Sequence, residues 1–191
     1  WAEEVIQHQV KKMDPFFEIV ELNPGEYDIK INNSNCLFFK YLINASRVHW
    51  REELEIRLHE NDAKYQEEYL KKYQFAIDGP LLSEEEILEQ KHHLINKMYS
   101  LGYLLHRYRD PSRPWAVYAM DWKVSEEGES HGGSGKSVAF KSIRYFMKDV
   151  TLNGRDPDLT GNKHIYENVS NHTDYILIDD CNQYLKFDFF F

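Results

Sequence analysis

The residues best suited to chemistry are His131-Gly132-Gly133-Ser134-Gly135-Lys136-Ser137, preceded by an apolar run from Ala116 to Met120 and followed by a helical pattern from Val138 to Lys148. Strand, glycine-rich loop, Lys-Ser and helix is the order that a phosphate-binding loop requires. Such a loop wraps backbone N–H groups around the phosphates of a nucleotide, points a lysine at the β/γ oxygens and offers a hydroxyl to Mg²⁺. Glycine serves where the backbone turns with positive φ and passes close to a phosphate. The helix that follows adds its unpaired N–H groups and its dipole. This reading assigns Gly132, Gly133, Ser134, Gly135, Lys136, Ser137 and Val138 to nucleotide binding, Lys136 to catalysis and Ser137 to the metal. The general pattern G-x-x-x-x-G-K-[ST] departs at Ser130, where the first glycine normally stands, and Gly132, Gly133 and the upstream Gly128 are the residues that compensate. Gly-Gly-Ser-Gly is also the composition of a flexible linker.

A second constellation removes part of that ambiguity. Tyr175-Ile176-Leu177-Ile178 is continuous and apolar and ends in Asp179-Asp180. A buried strand closing on carboxylates about forty residues after a Gly-Lys-Ser loop is the other half of a nucleoside triphosphatase site. Parallel strands buried on both faces read as unbroken apolar runs, and ligands sit at their carboxyl ends. Asp179 would hold Mg²⁺ through water, sharing it with the Ser137 hydroxyl, and Asp180 would orient or deprotonate the attacking water. The bland alternative is a strand followed by an Asp-Asp turn.

Other groups carry less. His92, His93 and His106 lie on one helical stretch without the i, i+4 pair and intervening glutamate of a zinc hydrolase. Arg47, Arg51 and Arg57 beside Trp50 have the composition of a nucleic-acid contact, but Glu52, Glu53 and Glu55 interleave with them. Ion pairing on a helix surface is the expectation there.

The elements that must position these residues follow from local pattern. Residues 1–13 suggest a short helix stopped by Asp14-Pro15. Phe16–Leu22 and Tyr27–Ile31 flank Asn23-Pro24-Gly25 and predict a small hairpin. From Asn35, the apolar positions Leu37, Tyr41, Val48, Leu54 and Leu58 predict helix, capped by Ser34 or Asn35. After the Asp78-Gly79-Pro80 break, Ser83 and Glu86 form a capping box. The helix it opens has Ile87, Leu94, Ile95, Met98, Leu101, Leu104 and Leu105 on a buried face and closes in the basic cluster His106, Arg107 and Arg109. Asp110–Pro114 reads as a linker and Trp115–Met120 as a buried strand. Val150–Leu152 is a further strand candidate ending at Asn153-Gly154, and residues 155–173 are loop with a short helix near His164–Val169.

The whole composition bounds these readings. The chain has 191 residues, enough to bury a core, and its hydrophobic content of 42% is that of a globular protein. A formal charge of −9 argues against a surface that coats nucleic acid. Cys36 and Cys181 stand in no metal-ligand spacing and read as reduced thiols. No apolar run approaches a bilayer-spanning length and no charged-then-apolar leader is present, so the expected location is cytoplasmic. The Asn-x-Ser/Thr triplets at Asn32, Asn44, Asn168 and Asn171 then carry no meaning. A start at Trp1 and an end in the aromatic run Phe187–Phe191 read as a piece of a longer polypeptide.

Leu101-Gly102-Tyr103-Leu104-Leu105-His106-Arg107-Tyr108, then Asp110-Pro111, a strand ending in Met120-Asp121, and Gly-Gly-Ser-Gly-Lys-Ser together resemble the primase-helicase proteins of phages and mobile elements. These are superfamily 3 helicases, a branch of the AAA+ ATPases. Asn153-Gly154-Arg155 and Asp174–Asp180, with Phe187 downstream, look like the family's next blocks, so the resemblance covers residues 90–191. It implies an α/β fold: a P-loop (AAA+-like) parallel sheet, cut short after the acidic strand and preceded by a mainly helical region with a small β-hairpin. The expected organisation is 1–33 for helix and hairpin, 34–110 for the helical region and 111–191 for the ATPase part. The implied activity is an ATP-hydrolysing DNA helicase motor with Mg²⁺ as cofactor, hexameric and acting on single-stranded DNA in replication. Carried onto this chain, Gly132, Gly133, Gly135, Lys136 and Ser137 take the phosphate-loop roles, and Asp179 and Asp180 the acidic-strand roles. The DNA-contacting hairpin, polar sensor and arginine finger of such motors would follow Phe191. An arginine finger accounts for factors of about 10³ to 10⁵ in rate, so weak binding and poor turnover are expected of this chain alone. A nucleotide-regulated assembly module and a P-loop kinase are the alternatives.

Overall fold

The computed structural model describes residues 15–32, 35–50, 53, 63–106, 110, 112, 115–120, 135–181 and 185. The chain divides into two compact units, Trp1–Tyr99 and Ser100–Phe191. Among the described residues the architecture is mixed α/β, with four α-helices, a β-hairpin and a two-strand parallel sheet. No helix among them is long and apolar enough to cross a membrane. The helix expected over 1–13 lies outside the described residues, apart from its Pro15 stop.

In the first unit, β1 (Phe17–Asn23) and β2 (Glu26–Ile31) pair antiparallel with Phe17 opposite Ile31 and Ile19 opposite Ile29. Gly25 closes the turn at φ +83°, a backbone region that costs a Cβ-bearing residue energy. The hairpin buries Ile29, and Phe17 stacks on Phe39 at 5.4 Å between ring centroids. Phe39 belongs to α1 (Leu37–Asn44), whose buried residues are Phe39, Leu42 and Ile43. This helix starts after Cys36, not at Ser34 or Asn35, and Cys36 makes no side-chain capping bond. It also stops well before the expected stripe does. Val48 sits in a turn, and Leu54 and Leu58 lie outside the described residues.

The next helix, α2 (Ala63–Tyr73), buries Tyr69. The long helix α3 (Glu84–Leu104) opens on the expected capping box: the Ser83 N–H donates to Glu86 Oε2 at 2.8 Å and the Glu86 N–H to Ser83 Oγ at 3.3 Å. Leu94, Ile95 and Leu101 are buried as the spacing predicts, whereas Leu105 is exposed. Gln90 is fully buried in the same helix. Its Nε2 donates to the Ile77 carbonyl at 2.7 Å and its Oε1 accepts the His49 N–H at 3.1 Å, so one amide pins two chain segments to α3.

Arg47 corrects the expectation of surface ion pairing. It is 6% exposed, lies over the Trp50 ring at 3.2 Å and donates through Nη1 to the Gln74 carbonyl at 2.8 Å. Glu53 is likewise fully buried and accepts the Tyr69 hydroxyl. Arg51 and Arg57 lie outside the described residues. The pattern of alternating charges concealed this, because burial here comes from α2 and the Gln74 segment, which are remote in sequence.

The second unit carries α4 (Lys136–Lys141), a 3₁₀ turn (Ser142–Tyr145), β3 (Asp149–Asn153) and β4 (Tyr175–Asp179). β3 and β4 pair parallel, from Asp149 opposite Tyr175 to Asn153 opposite Asp179. Ala139, Ile143, Leu159, Ile165 and Tyr175 are its buried apolar residues in and around these elements. Three expectations are corrected here. Trp115–Met120 forms no strand and is largely exposed, with Trp115 at 71% and Met120 at 60%. An apolar run becomes a strand only when a ladder satisfies its backbone, and β3 pairs directly with β4 while 115–120 joins neither. The helix expected over Val138–Lys148 is shorter and tighter. Ser142 Oγ donates back to the Ala139 carbonyl at 2.6 Å, competing with the helical ladder just where it tightens to 3₁₀. Around His164–Val169 the chain makes successive turns instead of a helix, and side chains take the backbone donors, as in the His164 N–H to Asn162 Oδ1 bond at 2.9 Å.

Candidate functional site at the carboxyl end of β4

β4 is extended through Asp179 by its pairing with β3, and its side chains Tyr175, Leu177 and Ile178 are buried to half-buried. The last register pair, Asn153 with Asp179, places the ends of both strands together. Beyond it the chain turns sharply. Asp180 adopts φ +58°, uncommon for a residue with a side chain. Both carboxylates are held by cations: Lys141 Nζ lies 2.6 Å from Asp179 Oδ2, and Arg155 Nε lies 2.6 Å from Asp180 Oδ2.

Lys141 belongs to α4, the helix that begins immediately after the glycine-rich stretch. Gly135 caps that helix at φ +80°, so the glycine nearest the lysine does occupy the left-handed region that the loop chemistry calls for. Lys136 is half-buried, and Ser137 and Val138 are exposed at the first turn. Ser137 and Lys141 are four residues apart and so share one helix face. Gly132, Gly133 and Ser134 lie outside the described residues. The structure thus brings α4 to the acidic strand through Lys141.

Three residues of this site went unassigned by sequence reasoning. Lys141 had a visible signal in its helical spacing from Ser137. Gly154 had one in its position directly after β3. A Cβ there would stand 2.6 Å from Cys181 Cα and 2.8 Å from the Asp179 carbonyl oxygen, distances that real Cβ atoms do not adopt. Arg155 follows it within the Asn153-Gly154-Arg155 block of the resemblance, which gave it no role of its own.

Cys181 lies beside the acidic pair. Burial pushes its thiol pKa up, and the charges of Asp179 and Asp180 push it further in the same direction. At neutral pH it is a protonated thiol whose Sγ lies 3.4 Å from the Ile178 carbonyl, not a nucleophile. At the opposite end of β3, burial raises Asp149, but the hydrogen bonds from Arg144 and Thr151 outweigh it and hold the carboxyl below its usual value. Among the described residues no group of three His, Cys, Asp or Glu side chains is arranged to hold a metal ion.

The chain matches no family model, no curated protein and no solved structure.

Proposed function

We propose that this chain binds ATP with Mg²⁺ and hydrolyses it, as the ATPase portion of a hexameric replicative helicase of phage or mobile-element type that moves on single-stranded DNA. One observation carries the nucleotide part of this reading. The helix that follows the Gly-Lys-Ser motif is tied, through Lys141, to the carboxylate that closes a parallel β-strand. The helix that opens at Lys136 and the acidic strand are then joined, in the order along the chain that the reading expects. The helicase part rests on the resemblance of residues 90–191.

The residues fit the group they would hold. Mg²⁺ prefers hard oxygen donors and keeps much of its water, so a hydroxyl from Ser137 and a carboxylate from Asp179 suffice beside phosphate oxygens. When bound, the ion supplies charge neutralisation at the β- and γ-phosphates. Gly135 at positive φ lets the backbone N–H groups of the first helical turn approach a phosphate. Lys136 would neutralise the β/γ oxygens. Asp179 would keep Oδ2 on Lys141 and offer its second oxygen to metal-bound water. Asp180 would take the proton as water oxygen bonds the γ-phosphorus and the bridging oxygen leaves with ADP.

Equilibrium binding of a fluorescent ATP analogue, with and without Mg²⁺, tests this reading. Wild-type protein is expected to bind, and Lys136→Ala to lose about tenfold or more in affinity, as removal of a charged phosphate contact does. Equal binding by both proteins would show that the motif holds no phosphate.

A further inference from the structure

We infer that the turn Asn153-Gly154-Arg155 is a positioning clamp for the two carboxylates, so that Gly154 governs the Mg²⁺-dependent part of nucleotide binding through Asp179 and Arg155 governs hydrolysis through Asp180. This deepens the reading of Asp179 and Asp180 given above and rests on it. Four contacts define the clamp. The parallel register sets Asn153 beside Asp179, and the Gly154 N–H donates to the Asp179 carbonyl at 2.7 Å, extending the ladder one residue past both strands. The Arg155 N–H donates to Asn153 Oδ1 at 3.1 Å, which folds the turn back on itself. Arg155 Nε then reaches Asp180 Oδ2 at 2.6 Å. The fourth contact is steric: the neighbours of a Cβ at Gly154 would be backbone atoms of Asp179 and Cys181, which cannot swing aside as a side chain can.

Each residue of the turn therefore has a separate task. Asn153 shapes it, Gly154 allows the chain leaving β4 to pass close, and Arg155 fixes the direction of the Asp180 carboxylate. Asp180 needs this help because its φ of +58° places it on a sharp bend with no strand partner to orient it. Lys141 holds Asp179 from the other side, so the two acidic side chains are anchored by different elements. A displaced β4 exit moves both carboxylates together.

The test separates metal-dependent from metal-independent affinity in the full chain, using ATP in EDTA and ATP with saturating Mg²⁺. Gly154→Ala is expected to bind metal-free ATP within about twofold of wild type and to lose about tenfold of the gain that Mg²⁺ produces, since a methyl forced into a packed contact shifts the backbone. Arg155 is largely exposed, with 67% of its side chain accessible, so Arg155→Ala is expected to leave the ligand-free melting temperature unchanged. It should keep the Mg²⁺ gain within about twofold and slow single-turnover hydrolysis of Mg²⁺-ATP about three- to fivefold, the scale of an exposed ion pair. Arg155→Lys should restore most of that rate, a rescue that a purely structural role would not produce. An undiminished Mg²⁺ gain in Gly154→Ala together with undiminished hydrolysis in Arg155→Ala would overturn the clamp while leaving the phosphate loop intact. Wild-type binding that Lys136→Ala does not weaken would instead overturn the loop reading, and the clamp's functional role with it.

Discussion

Replacing Arg47 by methionine is the perturbation that most sharply tests how the first unit is held together. The guanidinium is 6% exposed, stacks on Trp50, bonds Gln74 through Nη1, and has Nε and Nη2 buried without a hydrogen-bond partner. Burial lowers its pKa from 12.5 to about 10 despite the opposing pull of Glu53, Tyr69 and Asp78, so it remains charged at neutral pH but at a cost. A displacement of that size corresponds to about 3 kcal/mol against the charged form. Methionine keeps the apolar stem over Trp50 and removes the charge. Glu53, fully buried with Oε2 unpaired, then loses the favourable charge of Arg47, and the Gln74 carbonyl loses its donor. Removing the charged donor of a buried carbonyl costs about 1–3 kcal/mol, a sizeable share of the 5–15 kcal/mol that stabilises an ordinary domain. Urea unfolding followed by tryptophan fluorescence should show a midpoint lowered accordingly with an unchanged slope. Because burial of the charges is itself costly, Arg47→Met combined with Glu53→Met should recover most of the loss. A single Arg47→Met variant as stable as wild type would refute the reasoning, since the Gln74 carbonyl would be left without its charged donor.

Gly25→Ala should destabilise the hairpin by about 1 kcal/mol in the same assay, because the φ of +83° penalises a Cβ while no atom stands within 4 Å of it. A neutral result would mean that the turn adopts another conformation. Burial, with Lys97 second, lowers His93 below its ordinary value of 6.5. The unfolded chain therefore takes up a proton near pH 6.5 before the folded one does, so stability is lost as pH falls from 6.5 towards the lower folded value. The melting temperature of His93→Gln should drop less between pH 7.5 and 5.5 than that of wild type, and an equal drop would contradict the assignment.

What was legible in the sequence had local causes. Asn23-Pro24-Gly25 between two β-like runs, and Ser83 with Glu86 ahead of an apolar stripe, are signals that the backbone answers within a few residues, and both elements form as read. The strand order Val150–Leu152 then Tyr175–Ile178 was legible for the same reason, and pairing only had to join them. Arg47 and Gln90 could not be recognised as buried, since what covers them comes from distant segments. Trp115–Met120 has the composition of a buried strand, but composition does not provide a neighbour for its N–H and C=O groups. At the candidate site, both aspartates were proposed from type and spacing. Lys141, Gly154 and Arg155 were not, because their roles depend on which strand end lies beside which.

The central claim is that Lys136 belongs to a phosphate-binding loop, and nucleotide-dependent thermal stabilisation tests it most directly. At a ligand concentration of 100 times Kd, binding to the folded state contributes about 2.7 kcal/mol. For a chain of this size each kcal/mol raises Tm by about 2–4 °C, so Mg²⁺ and ATP should raise the melting temperature by about 5–10 °C. With the tenfold loss of affinity expected of Lys136→Ala, the same ligand concentration contributes about 1.4 kcal/mol, so its shift should fall to about half or less while it melts normally without ligand. Identical shifts in the two proteins, or none in either, would contradict the account.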